Sequence, residues 1–284
     1  MTSTVSVLAP PRWRVARVIA WREVKVAIHG IGGYIALTVA LIAGTWILLV
    51  DVRALNADGL RVLADPFRPA LTIAMLVLAI FLAVSAAVSV AHDRESGTLE
   101  TLFYGPVDET AYILGKVGGA MAAYVAALPL LLASLMLLSL MSGFELTPAM
   151  LIGLALSVLP AAQIVGLGVL FSVGTSRVRS AVLLLIAAIA VLLGITVAYS
   201  LVQLVPISDP SSSILPLRDA LAALDTGVRW LSPFAYLERV FDEVSSGAWR
   251  RVALGLAIAV VYTAIMIGLA AYWLRRRGVQ RERE

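Results

Sequence analysis

Long apolar runs alternate with short charged segments along the whole chain. Six stretches hold no Asp, Glu, Lys or Arg: residues 26–50, 69–92, 117–144, 146–176, 180–208 and 252–274. Each is longer than the roughly 20 apolar residues that a helix needs to cross a bilayer. They predict six transmembrane helices at about residues 31–50, 70–91, 110–141, 148–173, 181–205 and 252–274. Ahead of the first span, Trp13, Ala16, Ala20, Val24 and Ala27 recur at spacings of three or four, with basic residues on the other faces. This pattern predicts an amphipathic helix over 12–29 lying in the membrane interface; the plainer alternative is a solvated basic flank. The loop 206–250 carries two further stripes, Leu217, Leu221, Leu224 and Val228, then Leu237, Val240, Phe241 and Val244. Both predicted helices are too short to span. They are expected to pack on or re-enter the outer membrane face, or to dock an extracytoplasmic partner there.

Composition turns this pattern into a class. The 284 residues are 61% hydrophobic and 14% charged, with mean hydropathy +0.95; soluble domains average roughly 45–50% apolar and about 25% charged. A soluble enzyme, a disordered tail and a secreted disulfide domain are excluded together. What remains is an all-α polytopic membrane protein, with residues 1–284 forming a single transmembrane domain. There is no cysteine, so thiolate metal sites and Cys nucleophiles are absent. The net charge of +4 is carried mostly by arginine, and it bears on orientation rather than on nucleic acid, which is not an expected partner. With six spans, both termini and the loops 93–116 and 177–179 share one side, which collects fourteen basic residues against eight on the other. The positive-inside rule then places both termini in the cytoplasm, in a plasma or inner membrane. The first span reads as a retained signal-anchor rather than a cleaved signal.

The charge-free runs lack the side chains that power ion-coupled transport. A charge at mid-membrane is costly and is kept for function, and none is expected there, which disfavours an ion-coupled transporter. His29 and His92 fall at the membrane borders. Gln163, Gln203 and Tyr124 are the buried polar candidates, and Pro129 and Pro160, central in spans three and four, are candidates for a hinge or for lining a pathway, or are ordinary packing kinks. Small residues four apart, Gly115 with Gly119 and Gly255 with Ala259, predict close helix contacts. No phosphate loop exists: Gly115-Lys116 is followed by Val117, with no glycine five residues earlier. The chain is therefore expected not to be an enzyme; any ATP energy must enter from another subunit.

The segment between spans two and three is the informative one. It reads His92-Asp93-Arg94-Glu95-Ser96-Gly97-Thr98-Leu99-Glu100-Thr101-Leu102-Phe103-Tyr104-Gly105-Pro106-Val107-Asp108. Leu99, Leu102 and Phe103 share one face of a short helix that Gly105-Pro106 would end. Asp108 is placed to cap the third span, with Glu109 in its first turn.

Three fragments carry a resemblance to the ABC-2 type transporter permeases. They are Asp93-Arg94-Glu95-Ser96-Gly97-Thr98-Leu99-Glu100-Thr101-Leu102, then Pro106-Val107, then Ile113-Leu114-Gly115-Lys116. Arg22-Glu23 before the first span, and Leu231-Ser232-Pro233-Phe234 before the last, match that family more weakly. Phe103-Tyr104-Gly105 departs from it, since leucine and small residues are usual there. The resemblance implies a permease that pairs with a second copy or a homologous permease and is driven by cytoplasmic ATPase subunits, which bind the ATP and Mg. It is expected to be an exporter. The segment Glu95–Tyr104 would be the coupling helix, with Leu99, Leu102 and Phe103 as apolar anchors, Glu95 and Glu100 as rim charges, and Gly97 and Thr98 at its start. The loop 174–180, with Arg177 and Arg179, would make a smaller second contact. The alternative reading is a membrane scaffold that couples a cytoplasmic ATPase to an extracytoplasmic partner without bulk transport.

Overall fold

Charge-free sequence of this length can satisfy its backbone in a bilayer only as helix, and helix is what the chain forms. The computed structural model describes residues 12–58, 65–104, 107–203 and 214–278. Helix α1 (Arg12–His29) coincides with the predicted interfacial element. It is followed by α2 (Ile31–Asp58), α3 (Arg68–Glu95), the short α4 (Thr98–Phe103) and α5 (Glu109–Ser142). Then come α6 (Pro148–Leu156), α7 (Val158–Gly174), α8 (Val178–Gln203), α9 (Ile214–Leu231), α10 (Pro233–Ser245) and α11 (Trp249–Gly278). Among the described residues, six helical segments are long and apolar enough to cross a membrane: Ile31–Arg53, Arg68–Glu95, Glu109–Ser142, Pro148–Gly174, Val178–Gln203 and Trp249–Arg276. Several outrun the sequence-drawn spans, because helices continue past the bilayer wherever capping and packing support them.

The centre of the bundle is α3 against α7. Buried alanines run down α3 at Ala70, Ala74, Ala79, Ala83, Ala87 and Ala91. They let α7 approach so closely that a Cβ on Gly168 would stand 2.4 Å from the Ala83 carbonyl oxygen. Ser172 Oγ donates to the Ala87 carbonyl oxygen at 2.6 Å across the same contact. Small residues and interhelical hydrogen bonds are what hold membrane helices together, since lipid is as apolar as leucine. By contrast α8 and α11 bury little within the chain, which leaves their faces to lipid or to another subunit.

Two features revise the expected layout. The fourth span is interrupted at Ser157, between α6 and α7. Pro160 supplies the cause, because it has no N–H for the carbonyl four residues back. Ser157 Oγ instead donates to the Leu154 carbonyl oxygen at 2.6 Å, and it pairs with the Tyr124 hydroxyl at 3.0 Å. Pro129, on an exposed side of α5, leaves that helix unbroken.

The second revision concerns the loop 206–250, of which 206–213 lies outside the described residues. Its stripe Leu237, Val240, Phe241 and Val244 is buried within the chain's own fold rather than offered to a partner. Phe241 fills the notch at Gly153 of α6, where a Cβ would come within 2.2 Å of the ring. In α9, Leu217 and Leu224 remain 52% and 55% exposed.

Candidate functional site

The residues that matter chemically gather at the end of the bundle that carries α4. Glu23 of α1, Asp93 and Ser89 of α3, and Lys116 and Tyr112 of α5 converge there. Lys116 is 2% exposed and Asp93 5% exposed. The Lys116 ammonium lies 2.7 Å from Glu23 Oε1 and 2.7 Å from Asp93 Oδ2, and its third hydrogen bond goes to Ser89 Oγ. All three ammonium donors are thus used. Ser89 Oγ in turn donates a hydrogen bond to Glu23 Oε2 at 3.2 Å, and the Tyr112 hydroxyl donates to Asp93 Oδ2 at 2.7 Å. The Lys116 ammonium also lies 5.5 Å from the centre of the Tyr112 ring. Two carboxylates around one ammonium leave this buried cluster one negative charge in excess.

Helices approach closely enough for this because α5 presents glycine to α1. A Cβ on Gly115 would lie 2.7 Å from Ile19 Cβ, and one on Gly119 would lie 2.5 Å from Glu23 Cβ. The small-residue pair seen in the sequence is therefore the seat of α1. Ala16 and Val24 of the predicted stripe are buried, whereas Trp13 is 76% exposed and takes no part. Lys116 is the eighth residue of the helix Glu109–Ser142, just ahead of its charge-free run, and is counterbalanced by carboxylates from two neighbours.

Directly beyond the cluster, α3 turns into α4 through Gly97, whose φ of +70° favours glycine. Glu95 belongs to α3 rather than to the short helix. The three residues expected to anchor a partner face inward instead. Leu99 is 5% exposed, and Leu102 and Phe103 pack against the same core. The Phe103 ring meets the Tyr112 ring edge-on, with centroids 6.1 Å apart. Burying these side chains is what fastens so short a helix, which has too few turns to stand alone. Its outer face carries Glu100, Thr101 and, 84% exposed, Tyr104. Thr98 shares a hydrogen bond of 2.8 Å with Ser96 at the helix start. The expected stop at Gly105-Pro106 lies outside the described residues.

The two loops at this end are tied to each other by adjacent side chains. Arg94 Nη1 donates to the carbonyl oxygens of Val173, at 3.0 Å, and Thr175, at 3.2 Å, at the C-terminus of α7. Glu95 Oε1 accepts from the Val178 backbone N–H at 2.8 Å, at the N-terminus of α8. A cation caps the negative end of one helix and an anion the positive end of the next. Arg177 on this link and Arg179 in the first turn of α8 are exposed. Asp108 occupies the N-cap position of α5, but its carboxylate makes no capping bond to the helix. It accepts from the Thr110 hydroxyl and lies 3.2 Å from Arg12 Nε. The Thr110 hydrogen bond chiefly, helped by Glu109 and by the Arg12 charge, holds this carboxyl below the usual carboxylate range.

Gln163, a pathway candidate from the sequence, lies on α7 with no exposure, and neither amide atom has a hydrogen-bond partner. Gln203, by contrast, ends α8 exposed. No group of three or more His, Cys, Asp or Glu residues suited to a metal ion occurs among the described residues.

Sequence reasoning missed Glu23, Ser89, Asp93, Tyr112 and Lys116 as a unit. The signal was present: Arg22-Glu23, Asp93-Arg94-Glu95 and Gly115-Lys116 belong to three separate fragments singled out one by one. The sequence has no way to show that they share a point in space. No curated protein was found to match the chain. A family model described as "ABC-2 family transporter protein" matches residues 65–272, from just before α3 into the last spanning helix.

Proposed function

Because the chain belongs to the ABC-2 transporter family, we propose that it is a permease subunit whose spans are moved by separate ATP-binding subunits docking on α4. Two permeases, identical or homologous, would pair to form the substrate path. The partner ATPases would lie on the cytoplasmic side, with both termini of this chain, and would bind ATP and Mg; transport would run outward.

The observation that carries this reading is the mounting of α4. A six-residue helix at the end of the bundle is locked to its own core by Leu99, Leu102 and Phe103. Force applied to its exposed face therefore cannot be absorbed by the helix itself. It passes to α3, to α5 and α1 through the ion cluster, and to α7 and α8 through Arg94 and Glu95. The docking surface is accordingly the outer face, Glu100, Thr101 and Tyr104, with Arg177 and Arg179 beside it on the second loop. Leu99 is a fastener of the helix and a poor probe of docking, since Leu99→Asp would bury a charge in the core.

The test is co-purification of the full chain with a co-expressed ATP-binding-cassette subunit from the same source. Tyr104→Asp, at an exposed position, is expected to abolish permease-stimulated ATP hydrolysis while leaving insertion and thermal stability unchanged. Normal stimulation and an intact complex would rule out docking through α4.

A further inference from the structure

At the opposite end of the bundle a polar cavity opens between the last turns of α8 and the two short helices. Helix α8 starts beside Glu95 and runs away from the ion cluster, so Tyr199 and Gln203 lie at its far end. They line the cavity together with Asp225, Thr226, Arg229 and Trp230 of α9 and Arg239 of α10. Its volume is about 420 Å³, within the range of small-ligand sites.

The charges in this cavity are fixed but incompletely matched. Asp225 is only 3% exposed. One of its oxygens, Oδ2, pairs with Arg229 Nε at 2.6 Å. The other, Oδ1, is buried with no hydrogen-bond partner. A buried carboxylate oxygen without a donor is costly, and a donor placed on the Asp225 carboxyl from the cavity would relieve that cost. Arg239 is held rigidly: Nη2 donates to the Arg229 carbonyl oxygen at 2.7 Å, and its guanidinium lies 4.9 Å from the Trp230 ring centre and 5.1 Å from that of Tyr236. Among the described lining residues, two guanidiniums and one carboxylate leave one positive charge.

The fitting ligand therefore carries one N–H-bearing cation for Asp225 and an oxyanion for Arg229 and Arg239. A quaternary ammonium fits poorly on two counts. It has no proton to donate to Oδ1, and Arg239 already stacks on the Trp230 and Tyr236 rings that would otherwise attract it. The cavity lies at the end of a spanning helix and beside an exposed tryptophan, at the depth where headgroups lie. We propose that it binds the headgroup of an aminophospholipid of the phosphoethanolamine type, with Asp225 taking the primary ammonium and the two arginines the phosphate. This site is independent of the coupling surface, which lies at the other end of the molecule.

The test uses the full chain in nanodiscs of phosphatidylcholine doped with phosphatidylethanolamine or with its mono- and dimethyl derivatives. Lipid retained through purification is measured by mass spectrometry. Wild type is expected to retain phosphatidylethanolamine over phosphatidylcholine by roughly tenfold, the scale of one charge-assisted hydrogen bond, with retention falling at each methylation. Asp225→Asn is expected to erase that preference, and Arg239→Gln to lower retention of both lipids alike. The methylation series is read on wild type, so it decides even if a variant fails to fold. Equal retention of the two lipids by wild type overturns the proposal. So does a preference that survives in Asp225→Asn, or displacement of the lipid by free phosphoethanolamine at equal concentration.

Discussion

The two ends of the bundle are fastened by different physics. At the α4 end the fastening is ionic and directional. Lys116 meets two carboxylates and a hydroxyl, and Arg94 and Glu95 reach specific backbone atoms of α7 and α8. At the α10 end it is largely apolar. Phe234, Leu237, Phe241 and Val244 are buried and Phe241 fills the Gly153 notch; charge is added by the partly exposed pair Arg68 and Asp242 at 2.6 Å and by Arg239, whose Nη2 donates to the Arg229 carbonyl oxygen at 2.7 Å. Apolar burial has no preferred direction and allows small sliding, whereas a buried ion cluster is satisfied in one geometry and heavily penalised outside it. The difference suits the proposed function, in which force enters at the rigid end and the other end accommodates movement.

Removing the cation would break the ionic end most severely. Lys116→Met leaves Glu23 and Asp93 buried without a counter-charge and is expected to cost about 3–5 kcal/mol, read as a large fall in thermal stability of the detergent-purified protein. Adding Glu23→Gln and Asp93→Asn to that variant should restore most of the loss. A neutral Lys116→Met would mean that the cluster does not hold this end.

At the apolar end, Phe241→Ala opens a cavity and is expected to cost about 3 kcal/mol or somewhat more. Its effect should stay local: proteolysis within α9 and α10 should accelerate, while stimulated ATP hydrolysis persists. If stimulation falls as steeply as stability, the two ends are not separable.

A smaller effect tests the seat of α1. Gly119→Ala puts a methyl group 2.8 Å from the Ala20 carbonyl oxygen and is expected to cost about 1–3 kcal/mol through overpacking. Loss of a cysteine crosslink engineered between α1 and α5 would report the displacement.

The smallest effect belongs to Asp108. Its carboxyl is held below the ordinary carboxylate range in the folded protein, so its contribution is fully present above the unfolded-state value and is lost as the pH falls through the folded one. The stability difference between wild type and Asp108→Asn should therefore be present at neutral pH and vanish in strong acid. A difference that grows on acidification would contradict the Thr110 and Arg12 contacts.

How much of this was legible in the sequence differs between the two ends in an instructive way. The spans could be read from the length of their charge-free runs, and α1, α9 and α10 from periodicity, because burial in lipid or protein imposes its pattern on each helix separately. The packing of α10 could not, because an apolar stripe looks the same whether it meets lipid, a partner or its own bundle. The notch at Gly153 has no local signature. Leu99, Leu102 and Phe103 were recognised as one face for the same reason, yet that face points inward, which only tertiary contacts decide. Lys116 was counted with the loop charges because the apolar run begins at Val117. The helix begins at Glu109, so the lysine is carried inside, where Glu23 and Asp93, remote in sequence, make its burial tolerable.

The neighbouring side chains Arg94 and Glu95 have a further consequence for what the chain can tolerate. One grips the tail of α7 and the other the head of α8, so the link between them, Thr175 to Arg177, has a set length. Surface links usually accept an extra residue or two at little cost. Here an insertion would push either Val173 and Thr175 or Val178 out of reach, and one of the two helix ends would lose its cap. In a library of single-residue insertions, this exposed link should be as intolerant as a buried segment.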